Sequence, residues 1–277
     1  MGWTEIKEKS GIAVVTGGAS GVGLAAANHL AASGFDLFLV DTNADALNTA
    51  AQDLREVGAT VHTEVVDVSD ATAMSALADQ VFALGDVAVL MNNAGIGMSS
   101  STTEAPEVWH KNFNVNFVCI LKGVQAFLPI MIAAGRAAVV INTGSKQGIT
   151  TPPGNPAYNA SKAAVKVLTE QLAHELREAS APIDVHLFVP GFTYTGMIAR
   201  FMPEKPEGAW TSEETVAYLF DKVASGSFYI LCPDNMVNEQ TDARRVLWSA
   251  GDIIEDRPPL SRWHPDWQDA FSKFEKE

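Results

Sequence analysis

The chain has 277 residues, 47% of them hydrophobic, and a formal net charge of −14. With a pI near 4.8 it lacks the clustered Lys and Arg of a nucleic-acid footprint, and an anionic membrane surface would repel it. The length and apolar content suit one large α/β domain, 1–277, with a full core rather than a disordered or fibrous chain.

Residues 1–10 are polar and mixed in charge, so no secretory leader is expected. Residues 12–16 read as a buried strand, followed by a glycine-rich turn over 17–23 and an Ala-rich helix over 24–33 that Gly34 stops. A second strand, 36–40, ends on Asp41, and Asn43 is placed to cap a helix reaching about 57. A third strand over 60–66 closes on Asp67 and Val68, and Asp70 starts a helix to about 84. The fourth strand, 87–91, leads into Asn92-Asn93-Ala94-Gly95, and a long helical region runs from Pro106 to about 131. Strand five at 138–142, a helix over 157–179 and strand six at 185–189 continue the rhythm. Such alternation implies an α/β fold, a Rossmann-type doubly wound parallel sheet of about seven strands with helices on both faces.

Beyond Pro190 the rhythm changes. Residues 192–210 mix Gly196, Pro203, Pro206 and Gly208 with Met197, Ile198, Phe201 and Met202. Loops this long in a compact domain are usually functional or disordered. A substrate lid over about 192–225 is expected, its apolar residues either lining a pocket or packing as two short helices. Strand seven follows at 228–232 and a helix at 238–250. The C-terminal extension, about 234–277, holds Pro258, Pro259, Trp263, Pro265 and Trp267, expected to pack on their own domain or on a neighbouring subunit. Cys119 and Cys232 both lie in apolar runs, the pattern of buried free thiols in a reducing compartment. No apolar run approaches the ~20 residues that cross a bilayer, and a soluble, cytoplasmic protein is expected. No metal site is expected.

Three motifs carry chemistry. Gly17, Ser20, Gly21, Val22 and Gly23 fall between a strand and a helix, where glycines let the backbone approach a pyrophosphate seated at the helix N-terminus. The alternative is a plain tight turn. Asp41, 24 residues after Gly17, is placed to hydrogen-bond an adenosine ribose and to repel a 2′-phosphate, which favours NAD over NADP. Tyr158 and Lys162 stand four apart and share one helix face. An ammonium there favours the phenolate and draws the tyrosine pKa down from about 10, toward useful proton transfer. Ordinary surface pairs show the same spacing.

The glycine turn, Asn92-Asn93-Ala94-Gly95 and the Tyr158–Lys162 pair together resemble the short-chain dehydrogenase/reductase family, in its single-domain oxidoreductase branch, over residues 11–195. Ser145, 13 residues before Tyr158, and Val115-Asn116 followed by Gly123 fit the same order. The resemblance implies that Tyr158 is the acid/base, that Lys162 lowers its pKa and holds the nicotinamide ribose, and that Ser145 positions the substrate oxygen. It also implies that Asn116 supports a proton-relay water. By the same resemblance Asp67 and Val68 meet the adenine, and Asn93, Ala94 and Gly95 line the cofactor cleft. Pro190, Gly191, Thr193 and Thr195 hold the nicotinamide side. Two departures stand out: Gly144 replaces a serine common in relatives, leaving Lys146 and Gln147 to face the substrate, and Cys232-Pro233-Asp234 replaces a glycine-rich ending. The expected function is NAD-dependent interconversion of a secondary alcohol and a ketone on an apolar or bulky skeleton (aromatic, terpenoid or steroid-like). The expected assembly is a homodimer or homotetramer, since the helices around Asn116 and Val165 resemble those the family pairs. The alternatives are a catalytically idle NAD-binding regulator and a sugar-nucleotide epimerase or dehydratase.

Overall fold

The computed structural model describes residues 3–9 and 11–276. Met1, Gly2 and Ser10 of the polar N-terminal stretch, and Glu277, lie outside the described residues. The stretch forms α1 (Trp3–Lys9), which the sequence reading missed; Trp3 and Ile6, one turn apart, are buried, Trp3 against Phe35 and Phe220. The alternation then runs β1 (Ile12–Thr16), α2 (Gly21–Ala32), β2 (Asp36–Asp41), α3 (Ala44–Glu56), β3 (Val61–Val65), α4 (Ala71–Leu84) and β4 (Val87–Asn92). Next come α5 (Pro106–Phe113), a π-helical turn (Asn114–Val118) and α6 (Cys119–Ala134), which form one continuous helical region. After these lie β5 (Ala138–Thr143), α7 (Gln147–Thr150), α8 (Pro156–Glu178), β6 (Ile183–Val189), α9 (Gly196–Ala199), α10 (Ser212–Ala224), β7 (Tyr229–Leu231), α11 (Glu239–Ile254) and α12 (Gln268–Lys276). The expected caps form: the Asn43 side chain accepts from Ala46 N, and that of Asp70 accepts from Thr72 N and Ala73 N.

All seven strands pair in parallel in the order β3-β2-β1-β4-β5-β6-β7. β1, β4 and β5 are buried along their whole length, because helices cover both faces, and they therefore read as unbroken apolar runs. Successive residues serve opposite cores. Val15, Leu39 and Ile141 meet Leu30, Leu54 and Phe220 on the face of α2, α3 and α10. Val14, Val40 and Val140 meet Leu77, Phe127 and Val165 on the face of α4, α6 and α8. Each such large side chain contributes about 1.5–3 kcal/mol on burial. The chain winds outward to β3, then crosses back past β1 to β4. That reversal opens a crevice beyond the carboxyl ends of β1 and β4, where ligands of such sheets bind.

Two expectations are corrected. Pro106–Ala134 is a helical region long and apolar enough, by length and composition, to cross a bilayer. Its Cys119, Ile120, Val124, Phe127 and Met131 pack on the sheet, so the apolar stripe belongs to the core. Residues 212–224 of the expected lid form α10 instead. Thr211 and Glu214 build a reciprocal capping box, and Val216, Leu219, Phe220 and Val223 give a helical stripe buried against α2 and the sheet. The segment before α10 holds the short helix α9 in otherwise irregular chain, closed at its base by a bridge between Thr193 and Trp210.

The tail folds onto its own chain. Trp248 of α11 packs against Trp267, Phe271 and Phe274, stacks under the Arg257 guanidinium at 4.1 Å and donates from Nε1 to Ser261 Oγ at 2.8 Å. Trp248→Ala removes the common partner of all these groups, a truncation that costs roughly 3–5 kcal/mol in a packed core. Limited proteolysis should then cut the variant beyond residue 255 while sparing the wild-type tail; equal resistance of the two would show that the tail is anchored elsewhere.

Candidate active site

The expected site residues collect beyond the carboxyl ends of the strands. After β1, Gly17 has φ +67° and Gly21 φ +53°, values that favour glycine. A Cβ on Gly23 would lie 2.0 Å from Gly17 O, so a side chain there would break the turn. Ser20 stands at the N-cap of α2 without using its side chain to cap it, which leaves the first N–H groups of that helix to an incoming anion. Asp41, at the end of β2, accepts from Ala19 N at 3.2 Å and Asn43 N at 3.0 Å, which sets a carboxylate against the glycine turn. After β3, a backbone hydrogen bond from Ser69 holds Asp67 below the usual carboxylate range, and Val68 is buried.

A single hydroxyl ties the two sides of the crevice together. Thr16 Oγ accepts from Asn93 N at 2.9 Å and Ala94 N at 3.1 Å, while Asn93 Nδ2 donates to Thr16 O at 3.1 Å. The glycine turn and the Asn93–Gly95 loop are thus braced to each other. Neither composition nor spacing marks Thr16 for this role. Asn92, Asn142 and Thr169 form a buried hydrogen-bonded chain behind the loop. Gly123 lets α6 close on it, since a Cβ there would meet Asn92 Oδ1 at 2.3 Å.

Tyr158 and Lys162 lie on α8 as the spacing implied, and Ser145 follows β5 beside them. Lys162 is 4% exposed, and its Nζ donates to Thr143 O at 2.8 Å. Burial pulls its pKa down to about 8, with the Cys119 sulfur opposing the shift. Burial also pushes Tyr158 above 10, and a side-chain hydrogen bond with Ser145 pulls it back. Tyr158 keeps part of its surface exposed, so solvent softens the upward push. The expected lowering by Lys162 is not seen in this geometry: the ammonium turns to the Thr143 carbonyl and lies 6.0 Å from the phenol ring centroid. Gly148 of α7 fixes the height of α8, because a Cβ there would sit 2.4 Å from the Lys162 carbonyl carbon.

Asn116 falls within the π turn and is fully buried. Its Oδ1 accepts from Ile96 N at 2.8 Å and its Nδ2 donates to Ile96 O at 3.1 Å, a brace for the loop after β4. Gly95 sits between this brace and the lysine; a Cβ on it would approach Asn116 Oδ1 to 3.3 Å and Lys162 Nζ to 3.7 Å. A π turn is frequent at functional sites, and four-residue helical periodicity does not reveal one.

After β6, Pro190-Gly191 runs against the strand-seven exit, where a Cβ on Gly191 would lie 2.5 Å from Pro233 O. Thr193 is buried with its hydroxyl on Thr215 Oγ at 3.0 Å, so its side chain serves the fold. Thr195 lies over Gly21 and heads α9 without capping it. Met197 reaches Gly97, whereas Phe201 is 75% exposed. Lys146 does not stand free before Ser145: its Nζ lies 2.6 Å from Asp242 Oδ2 and 3.7 Å from Asp234 Oδ2. The shorter contact is a charge pair without hydrogen-bond alignment. Cys119 and Cys232 are free and buried, as expected, and burial pushes their thiols up to about 11 and about 12.

Known proteins share the fold and much of the sequence. The chain is 39% identical over 199 residues to galactitol 2-dehydrogenase (L-tagatose-forming) of Cereibacter sphaeroides, covering 70% of this chain and 76% of that one. It is 32% identical over 258 residues to the 1-deoxy-11-beta-hydroxypentalenate dehydrogenase of Streptomyces exfoliatus, covering 91% and 93%. A short chain dehydrogenase/reductase of Burkholderia phymatum, solved in complex with NAD, superposes with a TM-score of 0.82 at 32% identity, over 90% of this chain and 96% of that one. A metagenomic short-chain oxidoreductase solved in complex with NADP superposes at 0.67 with 27% identity, over 80% and 96%. The short chain dehydrogenase family matches residues 11–206, and the chain belongs to that family of oxidoreductases.

Proposed function

We propose that the protein is an NAD-dependent dehydrogenase that interconverts a secondary alcohol and its ketone. The observation that carries this reading is the convergence of Ser145, Tyr158 and Lys162 at the carboxyl edge of the sheet, next to a glycine turn braced through Thr16. The turn fits a dinucleotide: it has two positive-φ glycines, no room for a side chain at Gly23 and unsatisfied N–H groups at the start of α2. Gly17, Ser20, Gly21, Val22 and Gly23 would hold the pyrophosphate, Asp41 the adenosine ribose, and Asp67 with Val68 the adenine. Asn93, Ala94, Gly95, Pro190, Gly191, Thr193 and Thr195 would border the nicotinamide half. Bound NAD would supply the hydride acceptor for the alcohol and, reduced, the donor for the ketone.

Ser145 positions the substrate oxygen by a hydrogen bond and pulls the Tyr158 pKa down. Tyr158 takes the hydroxyl proton as the alcohol is oxidised, and returns a proton to the oxygen as the ketone is reduced. Lys162 holds the nicotinamide ribose, and Asn116 supports a water that passes the proton from Lys162 to solvent. Met197 and the neighbouring apolar residues before α10 cap the pocket, which suits an apolar or bulky skeleton. The pairing of long helices with a second copy of the chain makes a homodimer or homotetramer.

Tyr158→Phe should lower kcat by a factor of about 10² or more while leaving NADH binding, followed by fluorescence, intact; a variant with near-normal kcat sinks the acid/base assignment. A 2′-phosphate beside Asp41 meets like charge, and each ~1.4 kcal/mol of repulsion is tenfold in affinity. Wild-type kcat/KM should therefore be higher with NAD⁺ than with NADP⁺, and Asp41→Ala should narrow the ratio; parity in the wild type refutes the ribose role. Light scattering at micromolar concentration should give the mass of a dimer or tetramer, and a monomer counts against the assembly.

A further inference from the structure

A second cavity, of about 320 Å³, lies between α7, α11 and the first turn of the C-terminal tail. Neither Ser145 nor Tyr158 lines it. Its volume is in the range of small-molecule sites. Part of its lining is apolar: Ile149, Leu231, Val246 and Trp263. The rest of the lining includes three cations, Lys146, Arg245 and Arg262, and one carboxylate, Asp242.

The cations are not equivalent. Lys146 is compensated by Asp242 and Asp234. Arg245 is compensated by Glu275, at 2.7 Å from its Nε. Arg262 has no carboxylate or carbonyl partner among the described residues; its guanidinium packs over the Trp263 ring at 4.8 Å and the Phe271 ring at 5.1 Å. Burial pulls its pKa downward, but a guanidinium stays charged in proteins. Stacking uses the planar face of that group and leaves its N–H edge to find an acceptor. The edge is not sealed within the protein, since none of the Arg262 nitrogens is among the fully buried unpartnered atoms. The cavity therefore presents a planar cation that no carboxylate touches among the described residues, Glu275 and Asp242 acting on it only through space.

We propose that this cavity binds a small amphipathic carboxylate, its anionic end on the Arg262 fork and its apolar body against Ile149, Val246, Leu231 and Trp263. A guanidinium fork matches a carboxylate through two parallel hydrogen bonds. A cation with Asp242 and Glu275 near but not in contact suits a singly charged group better than a phosphate, whose second charge those carboxylates would repel. The walls that carry Arg262, Val246 and Trp263 come from α11 and the tail, outside residues 11–206 where the family matches, and close over α7 inside them. The site adds a ligand to the molecule and is independent of the dehydrogenase reading.

Calorimetric titration of the full chain with 4-phenylbutyrate, its neutral amide and inorganic phosphate tests the assignment. The carboxylate should bind saturably, and the amide and phosphate at least about tenfold more weakly, a difference of ~1.4 kcal/mol. Arg262→Met should weaken the carboxylate about tenfold or more without changing the melting temperature or NADH binding. Val246→Trp, which fills the cavity and leaves the charge in place, should abolish binding. The proposal is overturned if the amide binds as well as the carboxylate, if phosphate binds more tightly, if no heat appears at about 10 mM ligand (a Kd well above that of a specific site), or if Val246→Trp leaves the affinity unchanged. Should Arg262→Met fail to fold, the wild-type comparison and Val246→Trp still decide. That comparison uses no cofactor, so it stands or falls apart from the dehydrogenase activity.

Discussion

The ammonium of Lys162 is buried with a carbonyl, not a carboxylate, as its hydrogen-bond acceptor. Leaving water costs a cation several kcal/mol unless paired, and here the cost appears as a pKa drawn down to about 8. Such a group stays in place only because its surroundings leave it no other. α7 presses on the backbone of α8 through Gly148, and the loop after β4 closes over the amine through Gly95. Asn116 holds that loop by both polar atoms of its side chain. The bare backbone at Gly148 is what lets α7 close on α8, while Gly95 brings its loop within contact of the amine.

The same convergence explains how the site divides labour. Ser145 is the neighbour that draws Tyr158 down, while Lys162 is held back against the sheet by Thr143. The ammonium is thereby held at the Thr143 carbonyl, 6.0 Å from the phenol ring centroid. Thr16 performs the corresponding service on the other side, fixing the distance between the glycine turn and the Asn93–Gly95 loop.

Much of this was legible in the sequence, and for identifiable reasons. Buried parallel strands read as apolar runs, Asn43 and Asp70 cap as their side chains dictate, and residues at strand exits must gather at one edge of a parallel sheet. Motif order therefore carried the site. Other features were hidden. Trp3 and Ile6 give too short a stripe to mark α1, although both are buried. The Thr211–Glu214 capping box was readable and announces α10, yet the Gly and Pro residues before it suggested a longer lid. The partners of Trp248 lie 9 to 26 residues along the chain, in a segment where proline masks periodicity. Lys146 looked like a substrate contact because sequence adjacency to Ser145 says nothing about Asp242, which approaches from α11.

The π turn at Asn114–Val118 has a consequence for which changes in length the chain tolerates. It holds one residue more than an α-helix of the same span would use, and each residue of an α-helix turns the chain by about 100°. Deleting any one of these five residues would let 106–134 wind as an unbroken helix, with the part before the turn rotated by that angle against α6. Asn116 would leave Ile96 while the Phe127 face kept its seat on the sheet. Substitutions along this helix are judged position by position, by the room each side chain has. A change of length is judged by the edge of the crevice as a whole, so a helix seated in the core also has its residue count fixed by what lies at its bend.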